Sequence, residues 1–208
     1  MAVELNGNML VAKGLGVEIG DRAIGPFDLE VGIGEVVALV GANGSGKTTF
    51  IRLALGLDRS SFGGSWIRGF AVDPLSPPRG VGYVADRAEF WDWMNAIDNL
   101  ALVAADYDDI SDVLVRVGLD GVKRRTVKTF SRGMRQRLSI ARALLSAPEL
   151  LVMDEPTIAL DEEAADQLGT IIREWRESGR SVLLASHDDE FVKTLDARIV
   201  RLINGVVA

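Results

Sequence analysis

Eight consecutive residues, Gly41-Ala42-Asn43-Gly44-Ser45-Gly46-Lys47-Thr48, satisfy the pattern G-x-x-x-x-G-K-[ST]. Glycines at these places let the backbone curl until its N–H groups point inward at phosphate oxygens. A helix starting at the end of such a loop turns its positive N-terminus to the same anion. Lys47 supplies a mobile charge for β- and γ-phosphates, the Thr48 hydroxyl suits Mg²⁺, and Thr49 follows in the opening turn. A second group, Asp154-Glu155, ends the apolar run Leu150-Leu151-Val152-Met153. Asp154 suits the hydration shell of Mg²⁺, and Glu155 suits polarising or positioning an attacking water. Together they imply Mg²⁺-dependent hydrolysis of a nucleoside triphosphate such as ATP.

These groups need a scaffold. Val36-Val37-Ala38-Leu39-Val40 reads as a buried parallel strand feeding the glycine loop, and residues 48–57 have helical spacing. Residues 150–153 and 181–185 read as two more buried strands, with a helix over about 162–178 between them, stopped by Gly179. Strand and helix in alternation predict an α/β core with a mostly parallel sheet, in which ligands gather at the carboxyl ends of strands. The first 35 or so residues and the stretch 64–84 are Gly-rich with short alternating runs, and predict antiparallel strands. Between about 91 and 126 strand signals stop; 100–105 and 110–117 have helical periodicity and predict a small helical subdomain, extending over about 91–148.

Composition narrows the class. The chain has 208 residues, 48% apolar and 25% charged, which suits one domain with a substantial core. A net charge of −7 disfavours general nucleic-acid binding, so an anion site here is a local positive spot. Cysteine is absent, which removes disulfides, thiolate metal sites and thiol nucleophiles. The first 15 residues lack a basic-then-apolar signal pattern, and no apolar run approaches the ~18–20 residues of a membrane helix. Any membrane role is expected to work through a partner.

The stretch Thr129-Phe130-Ser131-Arg132-Gly133-Met134-Arg135-Gln136-Arg137 resembles the signature of ABC-type ATPases, usually L-S-G-G-Q, in its variant L-S-G-G-M-x-Q-R. It precedes the carboxylate pair, as in that family, and the resemblance runs from about Leu10 to Gly205. Ser131 and Gly133 open a helix, which offers a hydroxyl and free N–H groups to an anion. The resemblance implies that Ser131, Arg132, Gly133 and Met134 close on ATP held by a second ATPase subunit. It also implies that Asp161 belongs to a loop crossing the dimer interface, and that His187, after residues 181–185, contacts the γ-phosphate. The fold it implies is a P-loop NTPase core with an N-terminal antiparallel part and a helical subdomain, one nucleotide-binding domain over 1–208. The partners it implies are a membrane permease and a second cassette, a homodimer being the simpler case. The implied location is cytoplasmic, peripheral on the inner face of the membrane.

The sequence departs from the family in places. Asp86 stands where a metal-sensing glutamine is usual, as in some exporter-type members. Ile19 stands where an aromatic usually stacks on adenine. Arg132 replaces a signature glycine, and Met134 the glutamine. The segment Phe90-Trp91-Asp92-Trp93-Met94 holds half of the chain's four Trp residues and is expected to dock the permease. Asp86 and the signature resemble exporter ATPases of the drug-, peptide- or haem-exporter kind. A soluble ABC-type ATPase acting on nucleic acid or ribosomes is the alternative, weakened by the acidic balance, the single cassette and the lack of room for a coiled coil. A small GTPase or nucleotide kinase leaves the signature unexplained, and Asn95-Ala96-Ile97-Asp98 lacks the lysine of N-K-x-D.

Overall fold

The computed structural model describes residues 7–76, 78–104, 108–203 and 205–207. The central sheet has six strands: β3 (Val36–Val40), β6 (Val81–Val84), β7 (Leu150–Asp154), β8 (Ser181–Ser186), β9 (Arg198–Ile203) and β10 (Val206–Val207). Their order is β10-β9-β3-β8-β7-β6, parallel except for β10. Every residue of β3, β7 and β8 is buried, which is why they read as unbroken apolar runs. Period-two geometry then divides each strand between two cores. Val36, Ala38, Val40, Leu151, Met153, Val182 and Leu184 face one core, beside α4 (Arg132–Leu144) and α5 (Glu162–Glu177). Val37, Leu39, Leu150, Val152, Leu183 and Ala185 face the other.

That second core is closed by α1 (Lys47–Ala54) and by an antiparallel sheet of β1 (Asn8–Ile19), β2 (Arg22–Gly32), β4 (Phe62–Ile67) and β5 (Phe70–Ala71), ordered β2-β1-β4-β5. Phe27 and Phe50 meet edge-on inside it, ring centroids 5.2 Å apart. The helical part comprises α2 (Ala96–Ala101), α3 (Asp108–Arg116) and α4, packed on the first core. A short α6 (Asp189–Lys193) follows β8.

The α/β architecture matches the expectation, with two corrections. The sequence pattern of residues 64–84 predicts antiparallel strands, yet β6 lies parallel to β7, with Val81 opposite Leu150 and Val84 opposite Met153. Its half-buried alternation fits either direction, since side-chain period carries no information on strand polarity. The helix expected over 100–105 begins at Ala96 and ends at Ala101; Ala105 lies outside the described residues. Asn95 sets the start, its side-chain oxygen accepting from the Asp98 N–H at 2.9 Å. Val115 and Val103 face solvent despite their type.

Candidate functional site

Strand order assembles the site. β3, β8, β7 and β6 are neighbours and parallel, so their carboxyl ends open on one edge. From β3 comes the glycine loop, from β7 the acid pair, from β8 His187 and from β6 Asp86. One cavity of about 390 Å³ is bounded by Lys47, Thr48, Asp86, Arg132, Glu155 and His187, among others.

The loop is shaped as its glycines require. Gly46 caps α1 at φ 103, a left-handed conformation that costs a side-chain-bearing residue about 1–2 kcal/mol. The Ser45 N–H returns to the Ala42 carbonyl at 3.1 Å. Asn43 and Gly44 are exposed, Gly41 and Thr49 half-buried, and Thr48 is exposed at the start of α1. Lys47 is buried, with Nζ donating to the Gly41 carbonyl at 2.8 Å and lying 3.2 Å from Glu155 Oε1.

The acids differ sharply. Asp154 is 1% exposed, and neither carboxylate oxygen has a hydrogen-bond partner of good geometry. Burial pushes its carboxyl above the usual range, Glu155 and Asp86 push it further, and the nearby Thr48 hydroxyl and Lys47 oppose the rise. Two orphaned oxygens in an acidic pocket beside a hydroxyl are a donor set suited to a hard divalent cation. Asp86 also has one buried oxygen without a partner. Glu155 sits at φ 50, held by its N–H on the Ala185 carbonyl at 2.9 Å. A glutamate kept left-handed just past a core strand is local strain of about 1–2 kcal/mol, sustained by its surroundings. Its Oε2 lies 2.7 Å from His187 Nδ1 and accepts from the His187 backbone N–H at 3.2 Å. A carboxylate acceptor requires the proton on Nδ1, so a neutral His187 presents the Nε2 lone pair to the cavity.

The sequence model of the ABC transporter family matches residues 24–158. The chain belongs to that family. Over 96% of its length, and 68% of the relative's, it is 36% identical to an uncharacterized ABC transporter ATP-binding protein, YdbJ, of Bacillus subtilis. It is 34% identical to the taurine import ATP-binding protein TauB of Escherichia coli, over 89% of this chain and 76% of the relative. It is 33% identical to the macrolide export ATP-binding/permease protein MacB of Agrobacterium fabrum, over 89% of this chain and 31% of the relative. A solved dimeric structure of a bacterial ABC transporter cassette shares the fold at TM-score 0.87 and 24% identity, over 96% of each chain. The expectation of an ATP-binding, ATP-hydrolysing cassette stands. Relatives named for import and for export occur together, so the expectation of export rests on motif resemblance alone.

In this cassette the signature opens α4 as anticipated. Ser131 caps the helix, its Oγ accepting from the Met134 N–H at 3.1 Å. Ser131 and Arg132 are exposed, whereas Met134 packs partly against the larger core. Gly133 abuts the loop after the acid pair so closely that a Cβ there would lie 2.4 Å from the Ala159 carbonyl oxygen. Asp161 is exposed and caps α5, accepting from the Ala164 N–H at 2.9 Å. Ile19 is exposed at the end of β1, on a separate cavity beside the glycine loop.

Contacts that sequence reading missed run along α4. Arg135 Nη2 lies 2.6 Å from Asp92 Oδ1 and donates to the Val127 carbonyl at 3.1 Å. The Arg142 guanidinium lies 4.7 Å over the Phe90 ring and donates to the Glu89 carbonyl at 3.1 Å. The basic run in the signature was the only available signal, and it named no partners. Trp91 and Trp93 are 52% and 70% exposed with ring centroids 4.8 Å apart, so they form a surface pair instead of a buried patch.

Proposed function

We propose that this cassette drives a separate membrane permease by binding and hydrolysing MgATP in a composite site shared by two cassettes, a homodimer. The observation that carries the reading is the convergence of the glycine loop, Asp154, Glu155 and His187 on one strand edge, with a family signature on the adjoining helix. Backbone N–H groups over Gly41–Thr49 and Lys47 Nζ hold the phosphates. The Thr48 hydroxyl, Asp154 and Asp86 hold Mg²⁺, which supplies charge neutralisation at the transferring phosphoryl group. Glu155 orients the attacking water and takes its proton, and its ion pair with Lys47 gives way when phosphate claims the lysine. His187, with its Nδ1–H on Glu155, contacts the γ-phosphate by donating from a protonated Nε2, as an imidazolium.

Ser131, Arg132 and Gly133 at the opening of α4 complete the partner's site, with Arg132 also bordering this chain's own cavity and Met134 supporting the turn from inside. Asp161 lies at the subunit interface. The exposed Trp91–Trp93 pair receives the permease, and the assembly lies on the inner face of the membrane, through the permease. Among the described residues no helix is long and apolar enough to cross a membrane. Export is the direction that Asp86 and the Ser-Arg-Gly-Met signature resemble.

The decisive test is Mg²⁺-dependent ATP hydrolysis against protein concentration, beside Glu155→Gln, with sizing in ATP. A specific rate rising with concentration and an ATP-trapped Glu155→Gln dimer are expected. Wild-type turnover by Glu155→Gln removes the assigned role of that residue, and a concentration-independent rate removes the composite site.

A further inference from the structure

Away from the nucleotide site, a cavity of about 450 Å³ opens between the β4–β5 hairpin and residues Pro78 and Arg79, just ahead of β6. It lies at the amino ends of β6 and β7, whereas the acid site stands at their carboxyl ends. The hairpin turns in two residues, so Ile67 and Phe70 pair across it and share a face. Ile67 is buried there, and Val72 packs on the same core. Phe70 carries that apolar face past the end of the core and is 76% exposed. With Pro78 these residues give the cavity an apolar wall. Its volume falls in the range of small-ligand pockets, about 300–1,000 Å³.

The charged residues of the lining are both cationic. Arg68 and Arg79 border the cavity and no carboxylate does, in a chain of net charge −7. Asp73, in the neighbouring loop, turns its Oδ1 to the Leu75 N–H at 2.9 Å. Arg68 stands at φ 51 and Gly69 at φ 82, the two central positions of the hairpin turn. Such a turn favours Asn-Gly, and arginine adopts the first of these conformations under strain. The guanidinium reaches across to the far wall: Nη1 lies 2.6 Å from Glu149 Oε1 and borders Gly80, the residue after Arg79. That ion pair is half-exposed on both sides, too weak to account for a strained residue. It uses one of the five N–H donors of the guanidinium, and the others have no partner among the described residues.

We propose that this cavity binds a small apolar monocarboxylate, its head on the uncommitted donors of Arg68 beside the charge of Arg79 and its body covering Phe70. A carboxylate matches a guanidinium fork in shape and charge. A single concave pocket suits a small ligand better than a protein partner, whose stable interface buries about 1,200 Å² or more. The site stands apart from the nucleotide chemistry and does not depend on it.

The test is calorimetric titration of the full chain with hexanoate, octanoate and decanoate, beside decylamine, in the wild type, Arg68→Asn, Arg79→Ala and Glu149→Gln. Decanoate is expected to bind at one site, with affinity rising about fourfold per methylene along the series. Decylamine, of opposite charge, is expected not to bind there. Arg68→Asn and Arg79→Ala should each weaken decanoate about tenfold, the loss of one charge-assisted bond at an exposed site. Asparagine suits the turn, so Arg68→Asn should keep or raise Tm, which separates lost binding from lost folding. Glu149→Gln removes the carboxylate that competes for Arg68 and should tighten decanoate, an effect that a purely structural Arg68–Glu149 pair would not give. MgATP hydrolysis should be unchanged in all three variants. Equal binding of decylamine overturns the proposal, as does a decanoate affinity unmoved by Arg68→Asn. A chain that binds no decanoate but does bind a leucine-rich peptide through its free C-terminal carboxylate overturns it too, and gives the surface to a protein partner.

Discussion

Replacing Gly133 by alanine sets two effects of opposite sign against each other. The added methyl would sit 2.4 Å from the Ala159 carbonyl oxygen. Ordinary carbon–oxygen approach is no closer than about 3.3 Å, so the two backbones must part by about 0.9 Å. Neither side yields easily: one is the capped opening of α4, the other a loop holding Ala159 at φ 64. Overpacking of this kind costs about 1–3 kcal/mol. Against it, alanine gains about 0.5–1 kcal/mol over glycine inside a helix, and only part of that near the first turn. The contact wins by about 1–2 kcal/mol, which in a chain of this length lowers Tm by roughly 3–6 °C. The loop that must move also follows Glu155, and misplacement near 1 Å costs up to about 100-fold in rate. Thermal unfolding of Gly133→Ala beside the wild type, with ATP hydrolysis on the same samples, reads both effects. An unchanged or higher Tm with hydrolysis retained would refute the reasoning, since Ala159 would then be giving way freely.

Asp154→Asn is expected to raise Tm at pH 8 in nucleotide-free protein and to abolish stabilisation by MgATP. Its carboxyl is pushed up in the fold by burial first, so the ionised form opposes folding; that penalty is absent below the ordinary carboxylate range and grows as pH rises through the raised value. The gain should therefore shrink toward pH 4, and a variant less stable than wild type at pH 8 contradicts it. Asn99→Ala is expected to cost about 2–4 kcal/mol by urea unfolding, because three hydrogen bonds from a buried amide are lost. Arg135→Ala should cost less than about 1 kcal/mol, its ion pair with Asp92 being part-exposed; the reverse ranking would reassign what holds the aromatic loop. Trp91→Ala with Trp93→Ala is expected to leave ATP hydrolysis by the isolated cassette intact while abolishing co-purification with the proposed permease partner.

Sequence legibility followed burial and locality. β3, β7 and β8 could be read because both faces are covered, so each appears as an apolar run ending at or just before a candidate site residue. The glycine loop and the Ser131 cap are made by neighbours in the chain, and their geometry follows from spacing. Long-range features were opaque. Asp92 and Arg135 pair across 43 residues, and Glu155 faces His187 across 32, with nothing local to mark either pairing. β6 kept its polarity hidden because a half-exposed strand alternates alike in either direction.

The segment from Asp86 to Met94 joins the acid site to the Trp91–Trp93 surface, and what fixes it decides how motion passes between them. Its ion pair, Arg135 with Asp92, is half-exposed and supplies at most about 1 kcal/mol. The stronger restraints are backbone bonds: Lys128 N–H to the Asp92 carbonyl at 2.9 Å, Val127 N–H to the Met94 carbonyl at 2.9 Å, and Asn99 gripping both polar groups of Trp91. Val127 and Lys128 lie just ahead of the Ser131 cap. A shift of the signature end of α4 is thus carried to the tryptophans through short, directional backbone bonds. At the other end Arg142, from the same helix, holds Glu89 and Phe90 only a few residues from Asp86. One helix grips the segment at Glu89–Phe90 and at Asp92, so the distance between the two grips is set by a rigid rod with a rise of about 1.5 Å per residue. The signature end of α4 and the aromatic surface are therefore tied by side-chain and backbone bonds, while Asp86 follows only through the chain from Glu89.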